Sequence, residues 1–308
     1  LLRRALDDAG YDYIPIVSND DEDSHNIQPG YTFGLGGSVR IVTMLPMIDA
    51  LEELLRKMRP YELAAGTADA AFERGMDYIV DGMRSGGVPG CERGFKRAIA
   101  EMNKVPYDRS HPRPRVLIVG EYLLNFHPGA NRDIELYLER NGMEIVEAKM
   151  SDVIQKTYFY MDAQVREYKL DEPVLHKAGW RVANKIFDLA HDACDRIASA
   201  HPLYECPPRL RDVTRASDQV IHHTFDAGEG VLIPAEIMHH AAHGVNNFII
   251  LQPFGCLPNH VVGRGIVKRL KELYPQANIL ALDYDPDTSF ANVENRLQML
   301  IMEAQRKG

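Results

Sequence analysis

Short apolar runs alternating with helical patterns constrain this chain more than any other feature. Val116-Leu117-Ile118-Val119-Gly120, Glu144-Ile145-Val146-Glu147-Ala148, Asn247 to Leu251 and Ile279 to Asp283 have strand length and strand composition. Between and after them, Ile134, Tyr137 and Leu138, then Ile266, Val267, Leu270 and Leu273, then Phe290, Val293, Leu297 and Leu300 recur at helical spacing. Asn141-Gly142 closes the first of these helices, Tyr274-Pro275 ends the second, and Pro234 suits the first turn of a helix running to His243 and stopped by Gly244. A further strand is expected near Gln219 to His222. Such alternation predicts an α/β fold: a doubly wound, mostly parallel sheet of Rossmann or flavodoxin-like type. The long amphipathic stretches around Tyr158 to Tyr168 and Trp180 to Ile197 break the rhythm and predict a helical insertion over residues 151–211.

The proline-punctuated His111-Pro112-Arg113-Pro114 marks a linker, so the expected domains are 1–110 and 111–308. The first is read as a partial, largely helical domain. Leu2, Ala5 and Leu6 suit a helix, Tyr13-Ile14-Pro15-Ile16-Val17 a strand, Asp20-Asp21-Glu22-Asp23 a solvated turn, and Gly34-Leu35-Gly36-Gly37 a flexible connecting loop or, as the weaker alternative, one that lets backbone approach a ligand. Leu45 to Met58 and Ala70 to Met83 read as helices, and Gly86-Gly87-Val88-Pro89-Gly90 breaks the run before another. A helix at the outset that would need a preceding strand suggests the carboxy-terminal part of a longer polypeptide.

Composition excludes several classes. With 45% hydrophobic residues over 308 positions the chain can bury a large core, and no apolar run approaches a membrane span. A net charge of −9 repels nucleic acid and anionic membranes. The cysteines at 91, 194, 206 and 256 form no Cys-x-x-Cys pair, which disfavours a disulfide framework or a self-contained zinc site and predicts reduced thiols in a cytoplasmic setting.

The candidate chemistry centres on Gln252-Pro253-Phe254-Gly255-Cys256-Leu257-Pro258-Asn259-His260, which follows the Asn247 strand. This position puts Cys256 at the carboxyl end of a parallel strand, where open α/β sheets bind ligands, and the free amides of the next helix favour its thiolate. The bland alternative is a small buried hydrophobe. Gly228-Glu229-Gly230 precedes a helix and can offer amides to a phosphate or to a cluster's surroundings, or serve only a turn. Glu121, Asn125 and His127 follow the first strand on the same edge, where ligand contact competes with capping. His239 and His243 stand four apart, but the glutamate of a His-Glu-x-x-His zinc motif is missing, and a solvated helix face is the stronger reading.

Together with Asp226-Ala227-Gly228-Glu229-Gly230, Gly120-Glu121-Tyr122-Leu123-Leu124-Asn125-Phe126-His127-Pro128-Gly129 and Leu282-Asp283-Tyr284-Asp285-Pro286, the Cys256 segment resembles the 2-hydroxyacyl-CoA dehydratase superfamily. More narrowly, it is similar to the dehydratase-subunit-like region of the large dehydratase-activase-related proteins. The resemblance spans most of residues 110–306 and, more weakly, 1–60. It implies an oxygen-sensitive iron–sulfur cluster of the 4Fe-4S kind, held by cysteine thiolates and fed an electron by an ATP-driven activator. Cys256 matches the last cluster cysteine, and Gly228, Glu229, Gly230, Glu121, Asn125, His127 and Asn259 are the implied cofactor contacts. The earlier cluster cysteines have no counterpart, since none precedes Cys91. A complete cluster in this chain alone is therefore not expected.

The expected role is in ATP-driven low-potential electron transfer within a larger iron–sulfur lyase or reductase of anaerobic metabolism. It would serve either dehydration of a 2-hydroxyacyl-CoA or reduction of a small molecule. The alternative is a non-catalytic scaffold that docks activator modules onto a dehydratase. A weaker third reading is an ordinary Rossmann or flavodoxin-like enzyme with Cys256 as nucleophile, although no Gly-x-Gly-x-x-Gly fingerprint follows a strand. Expected partners are the upstream part of the same polypeptide and an ATP-dependent activator module, with acyl-CoA as a candidate ligand and a homodimer as a candidate assembly. No Gly-x-x-x-x-Gly-Lys-Ser/Thr loop occurs, so ATP is expected to act through the activator.

Overall fold

The computed structural model describes residues 2–14, 34–285 and 290–307. Two compact units are defined, Leu1–Ile41 and Val42–Gly308. In the first, helix α1 (Leu2–Asp8) is followed by a turn in which the Ile14 amide donates to Tyr11 O (3.1 Å). Tyr13 and Ile14 thus begin no strand. The rest of the strand expected over Tyr13 to Val17 lies outside the described residues, as does the acidic stretch 20–23.

Helix α2 spans Leu35–Met58. Leu35, Gly36 and Gly37 are therefore helical, which corrects the loop expected there. The Gly37 and Ser38 amides donate to Gly34 O at 2.8 and 3.1 Å, and the long helix that follows offsets glycine's weak helix preference by propagation.

Helix α3, Thr67–Met102, doubles back on itself at Gly87, whose backbone (φ 57°, ψ −147°) suits a residue without Cβ. The two halves touch backbone to backbone: a Cβ on Gly82 would strike the Gly90 carbonyl, and one on Gly94 the Tyr78 carbonyl. Met47, Leu51, Leu54 and Met58 of α2 bury against Ile79, Phe95, Ile99 and Met102 of α3.

The second layer is a four-stranded parallel sheet among the described residues: β1 (Arg115–Gly120), β2 (Glu144–Glu147), β3 (Asn247–Pro253) and β4 (Asn278–Tyr284), in the order β2-β1-β3-β4. Alternate residues face opposite sides. Val116, Ile118, Ile145, Ile249, Leu251 and Leu282 pack under α6 (Ile134–Arg140) and α12 (Phe290–Lys307). Leu117, Val119, Phe248, Ile250 and Ile279 pack under α10 (Leu232–Ala242) and α11 (Val267–Leu273). Both faces are covered, as a parallel sheet requires. Two short helices, α4 (Tyr122–Phe126) and α5 (Pro128–Asn131), lie between β1 and α6.

The expected insertion consists of α7 (Met150–Tyr168), α8 (Val174–Ala198) and α9 (Leu210–Ala216). Cys194, Ile197 and Ala198 of α8 join the α2–α3 core, which ties the insertion to the amino-terminal helices. Asp49 of α2 caps α7 from outside, accepting from the amides of Met150 (3.2 Å) and Ser151 (2.9 Å). The strand expected near Gln219 to His222 is absent. There the Val220 and Ile221 amides donate to Ser217 O (2.8 and 2.9 Å), so the backbone is satisfied by tight turns and never reaches the sheet. Among the described residues no helix is long and apolar enough to cross a membrane.

α2 is latched to the sheet edge by buried charge. Arg56 pairs with Glu147 and with Glu135 (2.9 Å), Arg59 with Glu139 (2.7 Å), and Tyr61 Oη donates to Glu144 Oε2 (2.6 Å). Burial pushes the Glu147 carboxyl well up, and the neighbouring Arg56 guanidinium opposes that rise only in part.

Two predictions follow from the packing. Gly120→Ala places a Cβ on the Leu251 carbonyl at φ 143° and should lose about 3 kcal/mol in urea unfolding. Gly179→Ala, on an open exposed position of α8, should instead gain roughly 0.5–1 kcal/mol. The second concerns Asp152, which burial and then Glu236 push up to about 7 from 3.8, with Lys149 opposing. Because the folded state binds that proton more tightly, the group's contribution is complete below its unfolded pKa and is lost as pH rises through about 7. Asp152→Asn should flatten the unfolding midpoint between pH 4 and 8 and stabilise the chain at pH 8, by at most about 4 kcal/mol.

Candidate functional site

The connections leaving β1 and β3 diverge, the first toward β2 on one side and the second toward β4 on the other. A crevice at the carboxyl ends of the two strands follows from that divergence. Gly120 brings the strands close enough for the Glu121 amide to donate to Leu251 O (2.9 Å), so both exit loops start from one point.

Cys256 lies half-buried in the loop after β3, its amide donating to Pro253 O (3.2 Å). A π-helical turn, Pro258–Arg264, then brings Asn259 back beneath it. Asn259 Nδ2 donates to Cys256 Sγ (3.1 Å) and to Glu229 Oε1, and the Cys256 thiol donates to the same carboxylate oxygen at 3.9 Å. Both Asn259 and Glu229 are buried. Burial pushes the Glu229 carboxyl up, against the Asn259 hydrogen bond. The sulfur thus has a fixed amide donor and, beside it, a buried carboxyl whose proton is held more tightly than usual.

Glu229 reaches this position through the 224–230 loop, which α7 grips by a polar stripe at four-residue spacing. Lys156 Nζ donates to Gly228 O, Tyr160 Oη to Phe225 O, and Gln164 Nε2 to Thr224 O (3.2 Å), while Tyr168 Oη bonds Thr224 Oγ1 (2.7 Å). Lys156 lies 4.0 Å from Asp226, and burial lowers its pKa. Gly228 and Gly230 let the loop press onto the π-helical turn: their Cβ atoms would meet Pro258 Cγ at 3.2 Å and Val262 Cγ2 at 3.3 Å. The Gly230 amide is already spent on Ala227 O (2.8 Å) and is not offered to a phosphate.

A second polar group lines the β3–β4 edge. Gln252 Nε2 (2.5 Å) and Arg264 (2.6 Å) hold Asp283, with His260 Nε2 3.4 Å away and its Nδ1 3.0 Å from Cys256 O. Burial raises the Asp283 carboxyl, but these donors outweigh it and keep it below the ordinary range. Among the described residues, Asn259 Oδ1, Gln252 Oε1, Tyr122 Oη and Asn125 Oδ1 are buried without hydrogen-bond partners. Four such atoms near one sheet edge point to a ligand-binding crevice.

The other residues singled out in the sequence divide. Glu121 Oε2 accepts from the Leu124 amide (3.0 Å) and caps α4, yet its charge acts on Glu229, so it borders the site. Asn125 is buried within α4. His127 is exposed and caps α5, with Nδ1 accepting from the Ala130 amide (3.1 Å). His243 Nδ1 donates to His239 O (2.7 Å) and the two rings lie 4.3 Å apart, tilted by 40°, so that pair builds a helix end. Sequence reasoning missed Lys156, Tyr160, Gln252, Arg264 and the site role of Tyr122. The polar residues at 156, 160, 164 and 168 on one face of an amphipathic helix were the available signal for the first two.

The thiols do not converge. Cys91 (Sγ 3.6 Å from Met47 Sδ) and Cys194 (Sγ 3.1 Å from Pro46 O) belong to the α2–α3 core, where burial pushes Cys91 up to about 11 and Cys194 higher. Cys206 is exposed, 3.9 Å from Ser199 Oγ. An iron–sulfur cubane requires about four thiolate ligands, and the described residues bring Cys256 alone to the crevice. The residues of this chain by themselves do not fit that group.

A thiol reagent should therefore modify Cys206 and Cys256 in the folded chain and reach Cys91 and Cys194 only after denaturation, which peptide mass mapping reads directly. Asn259→Leu should slow the reaction at Cys256 and leave Cys206 unchanged. Compared with family models, curated proteins and solved structures, the chain finds no match.

Proposed function

We propose that this chain supplies one side of an iron–sulfur centre in a larger protein resembling 2-hydroxyacyl-CoA dehydratase subunits and their activase-related fusions. Cys256 would contribute a single thiolate, and further thiolates would come from an upstream part of the same polypeptide or from a second chain. When bound, such a cluster supplies low-potential one-electron chemistry, here charged by an ATP-dependent activator. The observation that carries the reading is the half-buried Cys256 after β3 at the β1–β3 crevice, with the buried Asn259 amide directed onto its sulfur at 3.1 Å. Hydrogen bonds to cluster sulfur tune potential, and Asn259 is placed to make one. The order β2-β1-β3-β4 with helices on both faces supports assigning the sheet to the flavodoxin-like class.

The rim around Cys256 favours the scaffold role as a second reading. Phe254, Leu257 and Val261 expose 78%, 62% and 62% of their surface around a polar crevice, as a docking face would. A scaffold would bind its partner without iron.

Anaerobic iron and sulfide analysis separates the two. A longer form of the protein carrying the upstream segment should contain both elements, and Cys256→Ala should lose them while keeping its unfolding midpoint, since little core volume changes. Unchanged iron in the mutant rejects the ligand role; partner binding without iron in the parent supports the scaffold. The 308-residue chain alone should carry no stoichiometric cluster. It should also show no saturable Mg-ATP binding by calorimetry, because ATP dependence enters through the activator contact.

A further inference from the structure

The turn between α9 and α10 carries two adjacent histidines whose rings are both fixed. His223 is buried, with Nδ1 2.9 and 3.0 Å from the two Asp218 carboxylate oxygens and the Asp218 Oδ1 also accepting the His223 amide (2.7 Å). His222 Nδ1 lies 2.7 Å from Thr224 Oγ1, itself held by Tyr168 Oη at 2.7 Å. With both Nδ1 atoms engaged, both Nε2 atoms turn toward one side chain, Glu167 of α7. His223 Nε2 is 2.5 Å from Glu167 Oε1, and His222 Nε2 is 3.7 Å from Oε2.

We propose that Glu167, His222 and His223 bind one divalent transition-metal cation of the zinc class. The donor atoms all lie within 4.8 Å of one another, and among the described residues no other such group of three is found. Tetrahedral zinc ligands stand ~3.4 Å apart at bond lengths of about 2.0–2.1 Å, so shifts on the order of 1 Å suffice, on a glutamate whose side chain is 33% exposed. Two imidazoles and one carboxylate select zinc, cobalt, nickel or copper over magnesium or calcium. Asp218 behind His223 is the carboxylate–histidine–metal arrangement that fixes the tautomer and strengthens the ligand. Its charge and that of Glu167 balance a dication between neutral rings.

A hydrogen-bonded Glu167–His223–Asp218 relay with no metal is the competing explanation. It gives no role to His222, whose ring stacks 4.4 Å from His223 and aims its Nε2 at the same carboxylate. Three protein ligands leave a fourth position open to solvent, since the His222 side chain is 53% exposed. The cation would tie the end of α7 to the loop leading to Glu229, so loading would stiffen the crevice wall without touching Cys256.

The test uses the 308-residue chain stripped with a chelator, in a Cys206→Ser background to remove an exposed thiol. Zinc calorimetry should show saturable one-to-one binding, micromolar or tighter, and cobalt should give the visible bands of a low-symmetry nitrogen–oxygen site. His222→Ala, at an exposed position, and Glu167→Gln should each weaken zinc by more than tenfold; Asp218→Asn should weaken it 10–100-fold. Cys256→Ala and His243→Ala should leave it unchanged, which keeps this site separable from the crevice reading. Absence of binding, or affinity unaltered in both His222→Ala and Glu167→Gln, overturns the proposal.

Discussion

Everything at the crevice depends on how closely β1 approaches β3 at Gly120. The last paired residues of the two strands are Gly120 and Leu251, and a side chain on the glycine would occupy the space of the Leu251 carbonyl. That approach lets the Glu121 amide extend the ladder by one bond after β1 has turned away. The exit loops then diverge from a shared origin, one toward Glu121 and Tyr122, the other toward Cys256 and Asn259. The crevice follows from strand order and one missing Cβ.

The other wall of the crevice is built by reach from the insertion. Nothing in the 224–230 loop is regular, and its carbonyls would cost free energy if buried without donors. α7 provides those donors from Lys156, Tyr160 and Gln164 and so converts an irregular loop into a fixed platform for Glu229. α7 is positioned in turn by Asp49 at its first turn, and α2, which carries Asp49, by Arg56 and Arg59 at the sheet edge. Buried ion pairs of this kind contribute little net stability compared with apolar packing, but breaking one leaves an uncompensated charge. They hold the end of α2 against β2 and α6, and through Asp49 and α7 the Glu229 platform is joined to that contact.

Periodicity was enough to read the sheet and its covering helices because buried parallel strands are short and apolar, and the caps at Asn141-Gly142 and Gly244 are local signals. The same reasoning failed at Gln219 to His222, where four residues with two apolar members look like a strand but close turns onto Ser217. It also failed at Gly36 and Gly37, where local propensity yields to the helix beyond them. The α3 hairpin was half legible: Gly86-Gly87 marked the break, but the role of Gly82, Gly90 and Gly94 in letting two backbones touch is a tertiary fact. Cys256 was visible from its place after a strand. Its partners were not, because Glu229 lies 27 residues away along the chain and Asn259 is brought back only by a π-helical turn.

A cysteine with one amide donor, one raised carboxyl and no second thiol can be either an ordinary nucleophile or one corner of a shared centre. A thiol nucleophile is activated by a base that takes its proton and an orienter behind that base. Glu229 Oε1 lies 3.9 Å from the Cys256 sulfur, beyond the reach of a base that takes its proton, and the histidine of this loop, His260, faces the Cys256 carbonyl and Asp283 instead of the sulfur. Metal ligation asks less: a soft sulfur accessible from one side, a donor to modulate its charge, and neighbours that keep water away once a partner closes over it. Asn259 supplies the donor, and the exposed Phe254, Leu257 and Val261 supply an apolar surface for that partner. These features are what the proposed shared centre rests on.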